Sequence, residues 1–183
     1  MPAENVLVIT LDRDETAPDA IGALRGLAAD GAVELRAAAV VRRANDGRIS
    51  ISEEVGDVDT AGTFAERYPR LATLLAVLAG PLDTLLFGNS LVALTGALAE
   101  PSPDELALEH LARAIPLGRT AVVAEVTESD PATLDEVLTG LGARIARRPL
   151  THVQAELGAA GEAVDAAEQA ARQALRGTGT ARG

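Results

Sequence analysis

Few side chains in this sequence could carry out a reaction, and none of them occurs in a pattern typical of an active site. His110 follows Glu109 in a segment typical of an amphipathic helix, as the phosphate-accepting histidine of sensor kinases does. That chemistry also needs an ATP-binding domain, for which 183 residues leave no room. The Gly-x-Ser at Gly88 lacks the second glycine of a nucleophile elbow. We therefore expect no catalytic residues and no enzyme activity.

Two residue types that many active sites need are missing altogether. The chain has no cysteine, which excludes disulfides, thiolate nucleophiles and cysteine-ligated metals. It also has no lysine, which excludes Schiff bases and phosphate-binding P-loops. The sequence contains neither an HExxH motif nor an acidic calcium loop. We expect no metal and no cofactor.

The net charge indicates which class of partner to expect, and the amino terminus indicates the compartment. A net charge of −11 repels phosphate backbones, and the two Phe and one Tyr provide no row of rings for base stacking. We therefore expect no binding of nucleic acid. The first ten residues, MPAENVLVIT, lack the basic region of a secretory signal, so we expect a cytoplasmic protein.

Arginines are concentrated in two segments that are far apart in the sequence. The first group flanks a predicted hairpin and the second lies on the last predicted strand: Arg42, Arg43, Arg48, and Arg144, Arg147, Arg148. If these strands are neighbours, six guanidinium groups form one site for an anion or an acidic partner. The alternative is a sheet edge whose charges oppose aggregation.

The order of apolar patterns predicts an α+β fold over residues 1–150. Strands are predicted at 6–11, 33–41, 48–53, 120–126 and 144–150, with a tight turn at Asn45-Asp46-Gly47 between the second and third. Helical spacing follows the first strand, and helices are also predicted at 102–115 and 130–142. Two strand-helix-strand halves that share one antiparallel sheet make a ferredoxin-like sandwich, with helices on one face.

An apolar insert interrupts this domain at about residues 61–100. Between Arg70 and Glu100 its only formal charge is Asp83, and Gly80-Pro81 divides it into a predicted helical hairpin. A membrane span needs about 20 uninterrupted apolar residues, and neither half is that long. A buried helical pair or an oligomer interface is therefore favoured, and a lipid-facing helix and a true membrane span remain as alternatives. The predicted association surface consists of Leu74, Leu78, Leu85, Leu86, Leu91 and Leu94.

The end of the chain predicts one more helix. Residues 151–176 are rich in Ala, Glu, Gln and Arg, and small apolar residues recur at steps of three and four. We expect this helix to lie outside the sheet domain and to support assembly, and residues 177–183 to be disordered.

The segment GAVELRAAAVVRRANDGRISI, the apolar insert after it and then RAIPLGRTAVVAEVTE resemble the bacterial domain-of-unknown-function family numbered 1269. The resemblance covers roughly residues 4–150. It implies a ferredoxin-like domain interrupted by a membrane-like insert, and it implies no catalytic residue.

Two functions fit these observations. The first is a non-catalytic scaffold that forms homo-oligomers through the insert and the last helix, either in the cytoplasm or at a membrane surface. The alternative is a small-molecule-sensing regulatory module, similar to the ferredoxin-like domains of the ACT type that bind amino acids.

Overall fold

The chain folds around one five-stranded antiparallel sheet, with helices packed on it. The computed structural model describes residues 1–55, 64–79 and 107–179. The strands are β1 (Ala3–Leu11), β2 (Val33–Arg43), β3 (Ile49–Val55), β4 (Thr120–Glu128) and β5 (Ala143–Pro149). The helices in these ranges are α1 (Ala17–Ala29), α2 (Phe64–Arg67), α3 (Pro69–Ala79), α4 (Ala107–Arg113), α5 (Pro131–Gly140) and α6 (Leu150–Gly179). The prediction of an α+β fold is confirmed.

The strand order is β3-β2-β4-β1-β5, and every neighbouring pair is antiparallel. α1 connects β1 to β2, and β4 lies between these two strands in the sheet. α5 connects β4 to β5, and β1 lies between those two. Two strand-helix-strand units are thus interleaved, and β3 extends one edge of the sheet. β1 and β4 are central, and both are buried along most of their length because apolar side chains alternate onto two covered faces.

Helices cover both faces of the sheet. On one face, α1 and α5 pack on Leu7, Ile9, Val122 and Ala124. On the other face, which we call the α6 face, α3, α4 and α6 pack on Val6, Val8, Ala39, Ala121 and Val123. The prediction of helices on one face is wrong, because alternate side chains of the central strands are apolar on both sides and each side needs its own cover.

The predicted turn between β2 and β3 forms where the sequence places it. The amide of Gly47 donates to the carbonyl of Ala44, and the amide of Ala44 donates to the carbonyl of Arg48. Gly47 has a φ of +90°, in the left-handed region that a side chain with a Cβ rarely adopts. This pattern matches a turn closed by a left-handed glycine, which is a common three-residue hairpin connection.

The last helix belongs to the core over its first three turns. Val153 and Ala160 of α6 are buried against the sheet, and Leu157 packs against the same cluster. The carboxylate of Glu156 accepts hydrogen bonds from the amides of Ala107 and Leu108, the first described residues of α4. The helix continues to Gly179. Residues 180–183 lie outside the described residues.

Candidate ligand cavity beside Glu125

The central strand β4 buries a carboxylate in the α6 face. Glu125 pairs in register with Val6 of β1 and Ala37 of β2, and only 4% of its surface is exposed. A carboxylate rarely lies in the interior without a partner, because transfer of its charge out of water costs several kcal/mol. The surroundings of Glu125 therefore decide whether its charge is structural or functional.

Arg70 is the cation that faces this carboxylate. Its Nη2 lies 3.0 Å from Oε1 of Glu125, and it reaches there from the first turn of α3. Among the described residues, however, no group donates a well-directed hydrogen bond to Oε1 of Glu125. We read the contact as an ion pair whose guanidinium is not aligned with the carboxylate, since the distance is short and the hydrogen-bond geometry is absent.

The protonation of Glu125 reflects this incomplete compensation. Burial raises the pKa of Glu125 above its ordinary value of 4.5. Attraction from Arg70 and Arg36 lowers the pKa by less, and the nearby charge of Glu4 raises it slightly. Glu4 and Arg36 are themselves paired, with Oε1 and Nη2 2.6 Å apart. Because burial outweighs the arginines, the site holds its negative charge at a cost.

A cavity of about 350 Å³ opens beside this ion pair, between the sheet, α3 and α6. Most of its wall is aliphatic, and it is formed by Val6, Leu71, Leu74, Leu150, Val153 and Leu157. Glu125 and Arg70 supply the charged part of the wall, and the exposed residues Thr73, Gln154 and Gly158 lie at the rim. An apolar cavity with a few convergent polar groups is the usual form of a small-molecule site.

A second concave region adjoins the first across the same ion pair. It has a volume of about 360 Å³ and is lined by Arg36, Ala37, Arg67, Tyr68, Pro69, Arg70 and Glu125. Glu125 and Arg70 thus form the boundary between an aliphatic cavity and a region lined by three arginines. A molecule with an apolar body and a charged head would meet matching groups at this boundary.

The other buried carboxylate of β4 is fully compensated. Glu128 accepts hydrogen bonds from Nδ2 of Asn5 and from Nε and Nη2 of Arg147. Arg147 also donates to both carboxylate oxygens of Asp135 on α5. Burial lowers the pKa of Arg147, but its hydrogen bonds to Asp135 and Glu128 raise it by more. This network ties α5 and β5 to the sheet.

The structure does not bring the six predicted arginines together. The hairpin strand β3 and the last strand β5 are opposite edges of the sheet, with three strands between them. The arginines have local partners instead. In the hairpin group, Arg42 pairs with Asp14 and Arg48 pairs with Asp46. Arg43 donates to the carbonyls of Ala112 and Ile115. On β5, Arg147 lies in the Glu128 network, Arg148 donates to the carbonyl of Arg147, and Arg144 lines a separate cavity with His110 and Arg113. The single patch was predicted on the condition that the hairpin strands and the last strand are neighbours, and the sheet order does not meet that condition.

Two of the six leucines of the predicted association surface lie inside the chain's own core. Leu74 and Leu78 of α3 are each 1% exposed and pack on the α6 face. Leu85, Leu86, Leu91 and Leu94 lie outside the described residues, as does the Gly80-Pro81 break. None of the helices within the described ranges combines the length and the apolar character that a membrane crossing requires.

Sequence reasoning missed Glu125, although the sequence contains a signal for it. In the segment AVVAEVTE this glutamate interrupts an apolar run that predicts a strand buried on both faces. A charged residue in such a strand must be buried with a partner, which the sequence does not identify. Within the described ranges, no cluster of three His, Asp or Glu side chains could hold a metal ion.

Comparisons of the chain with protein-family models, with curated proteins and with solved structures find no match. The geometry of the cavity beside Glu125 is therefore the main guide to function.

Proposed function

We propose that this chain is a non-catalytic ligand-binding module with a ferredoxin-like fold, in which the cavity beside Glu125 receives a small molecule. The observation that carries the proposal is a buried, incompletely hydrogen-bonded carboxylate at the wall of an aliphatic cavity. A purely structural carboxylate in this protein looks different, because Glu128 has directed donors to both of its oxygens. Retention of an under-compensated charge in a cleft is typical of a functional group.

The proposed fold is supported by the two interleaved strand-helix-strand units and by the strand order β2-β4-β1-β5 within the sheet. The proposed site lies under helices of a single chain. It therefore differs in position from ligand sites that form between the strands of two subunits. As a sensing module, the chain would report ligand through α3 and α6, the helices that form the cavity walls. The cytoplasm remains the proposed compartment.

Two glycines on α6 allow a sharp test. An added Cβ at Gly158 or at Gly161 would meet no atom within 4 Å, but only Gly158 lines the cavity. Gly158→Leu should fill the cavity, whereas Gly161→Leu makes the same change of helix propensity on the exposed side.

The measurement is a thermal-shift screen with small molecules that have an aliphatic body. A ligand at one hundred times its dissociation constant stabilises the protein by about 2.7 kcal/mol. We expect at least one class of compound to raise the Tm of the wild type and of Gly161→Leu, and to leave Gly158→Leu unchanged. A shift that is equal in both variants would remove the cavity as the binding site.

A second candidate function is that of a scaffold that self-associates. The observation that supports it is the length of α6. The helix has 30 residues, and its buried residues Leu150, Val153 and Ala160 lie in its first half. In the part of the helix after Ala160, the exposed positions include Glu162, Asp165 and Arg172. We propose this part as an assembly element, with a homo-oligomer as the product and a membrane surface as the other partner to be tested. Light scattering after size exclusion, in buffer and with lipid vesicles, separates these possibilities.

A further inference from the structure

We infer that the ligand of the cavity beside Glu125 is a zwitterionic α-amino acid with an aliphatic side chain. The inference rests on the proposed function and specifies its ligand class. It follows from three features of the site: the charge balance, the placement of the two charged groups and the nature of the cavity wall.

The charge balance favours a ligand with no net charge. Arg70 and Glu125 are the two charged residues that line the cavity, and because they oppose each other their charges already cancel. A simple carboxylic acid would add an uncompensated negative charge next to buried Glu125, and a simple amine would add a positive charge next to Arg70. Burial of an unpaired charge is costly, whereas a zwitterion brings one charge of each sign.

The two charged groups are placed to receive the two halves of a zwitterion. Oε1 of Glu125 accepts no directed hydrogen bond from the described residues, so the Glu125 carboxylate at the cavity wall has acceptor capacity left for an ammonium group. The guanidinium of Arg70 carries five N–H donors, more than its contact with one carboxylate oxygen uses, and it is suited to a second carboxylate. The two side chains are only 3.0 Å apart. The ammonium and carboxylate of an α-amino acid share one carbon atom, so they are also adjacent.

The cavity wall specifies the side chain of the ligand. Leu71, Leu74, Val153 and Leu157 present only aliphatic carbon to the interior. The volume of about 350 Å³ lies at the lower end of the range for ligand pockets, about 300–1,000 Å³. Leucine, isoleucine and valine fit this chemistry, whereas a charged side chain would be left unpaired against the aliphatic wall.

The test compares L-leucine with two analogues that each lack one charged group, 4-methylpentanoic acid and 3-methylbutylamine. Isothermal titration calorimetry on the full chain should detect binding of L-leucine. Each analogue should bind about tenfold more weakly or worse, because it leaves either Arg70 or Glu125 unmatched. Glycine, which has the same charged groups without the aliphatic body, should also bind at least about tenfold more weakly.

Variants of the two charged residues assign the contacts. Glu125→Gln and Arg70→Met should each weaken L-leucine binding by about tenfold or more. The matched controls Glu162→Gln and Arg113→Met remove the same charges from exposed positions on α6 and α4 and should leave the affinity unchanged. Circular dichroism of each variant verifies that it is folded, and Gly158→Leu provides a block of the cavity that leaves both charged residues intact.

The outcomes separate this inference from the proposed function. If an analogue binds as well as L-leucine and Gly158→Leu abolishes its binding, the cavity is a ligand site but the amino acid assignment is overturned. If L-leucine binds equally well to Gly158→Leu, the site lies elsewhere and both are overturned. If neither L-leucine nor any aliphatic compound binds the wild type, both are also overturned. Binding of L-leucine that depends on both charged groups and on an open cavity supports both.

Discussion

At the scale of single residues, the buried charge of Glu125 predicts a specific pH dependence of stability. Burial raises the pKa of Glu125 in the folded state above its ordinary value of 4.5. Below that value both states are protonated, and as pH rises the unfolded state loses its proton first. The folded state then binds more protons, so the free energy of unfolding falls as pH rises from 4.5 through the higher folded pKa. The carboxyl thus stabilises the fold at low pH and costs stability at neutral pH.

Glu125→Gln should therefore be more stable relative to the wild type at neutral pH than at acidic pH. The difference between their free energies of unfolding should grow as pH rises, by about 1.4 kcal/mol for each unit by which the folded pKa exceeds the unfolded pKa. Urea titrations at intervals from about pH 4 to pH 8 measure that difference. A difference that stays constant over this range would mean that the carboxyl titrates in the folded protein as it does in a free peptide.

A second residue-scale prediction concerns the glycine that closes the β2–β3 turn. Gly47 has a φ of +90°, and a Cβ added there would meet nothing within 4 Å. Gly47→Ala should therefore destabilise through the backbone alone, by about 1 kcal/mol or more. Gly22 in α1 has equally open surroundings without the positive φ, so Gly22→Ala should stabilise by up to about 1 kcal/mol. Opposite shifts in Tm are expected, and equal shifts would rule out a backbone cause.

At the scale of elements, α6 should be indispensable up to Ala160 and dispensable beyond it. The sequence alone suggested a helix outside the sheet domain, because the two strand-helix-strand halves close before it. In the structure Val153 and Leu157 cover the sheet and Glu156 holds the start of α4. Truncation after Leu150 should cost several kcal/mol, since each buried aliphatic side chain contributes about 1.5–3 kcal/mol.

Truncation after Glu162 is the matched experiment, because it keeps Val153, Leu157 and Ala160, which pack in the core cluster, and removes the rest of α6. We expect the Tm to change little and any self-association to decrease. Circular dichroism and light scattering on both truncated chains give the two readouts. A folded and stable chain that ends at Leu150 would show that the α6 face does not need this helix as its cover.

The sequence predicts the elements better than it predicts their packing. Alternation and turn residues are local signals, so the positions of β1, β2, the hairpin and α5 could be inferred from short segments. Burial is not local. Val137 and Leu141 are apolar and spaced at helical intervals from Leu134 and Leu138, yet each of the first two is 38% exposed, whereas Leu134 and Leu138 are buried. The contact between Arg70 and Glu125 depends on how α3 packs against β4, and the sequence of a short segment does not predict this packing.

At the scale of the whole molecule, the central question is what covers the apolar segment that begins in α3. Its described part is covered by the chain itself, because Leu71, Leu74 and Leu78 pack on the sheet. The strong negative charge disfavours close self-association by general repulsion, so assembly needs a specific surface. α3 is either a core helix or part of an oligomer interface. A charged residue introduced on its buried face has a different effect in each case.

Leu74→Arg distinguishes them. Leu74 is 1% exposed, so a guanidinium there would be buried without a partner and should unfold the domain, with loss of the circular dichroism signal. Ala76 lies on the exposed side of the same helix, and Ala76→Arg should leave the fold intact. If Leu74→Arg instead stays folded and size exclusion with light scattering finds a smaller species, α3 forms an interface between chains. Unfolding by Leu74→Arg alone would make α3 a core helix and would restrict any association surface to other parts of the chain, which Leu85→Arg together with Leu91→Arg tests separately.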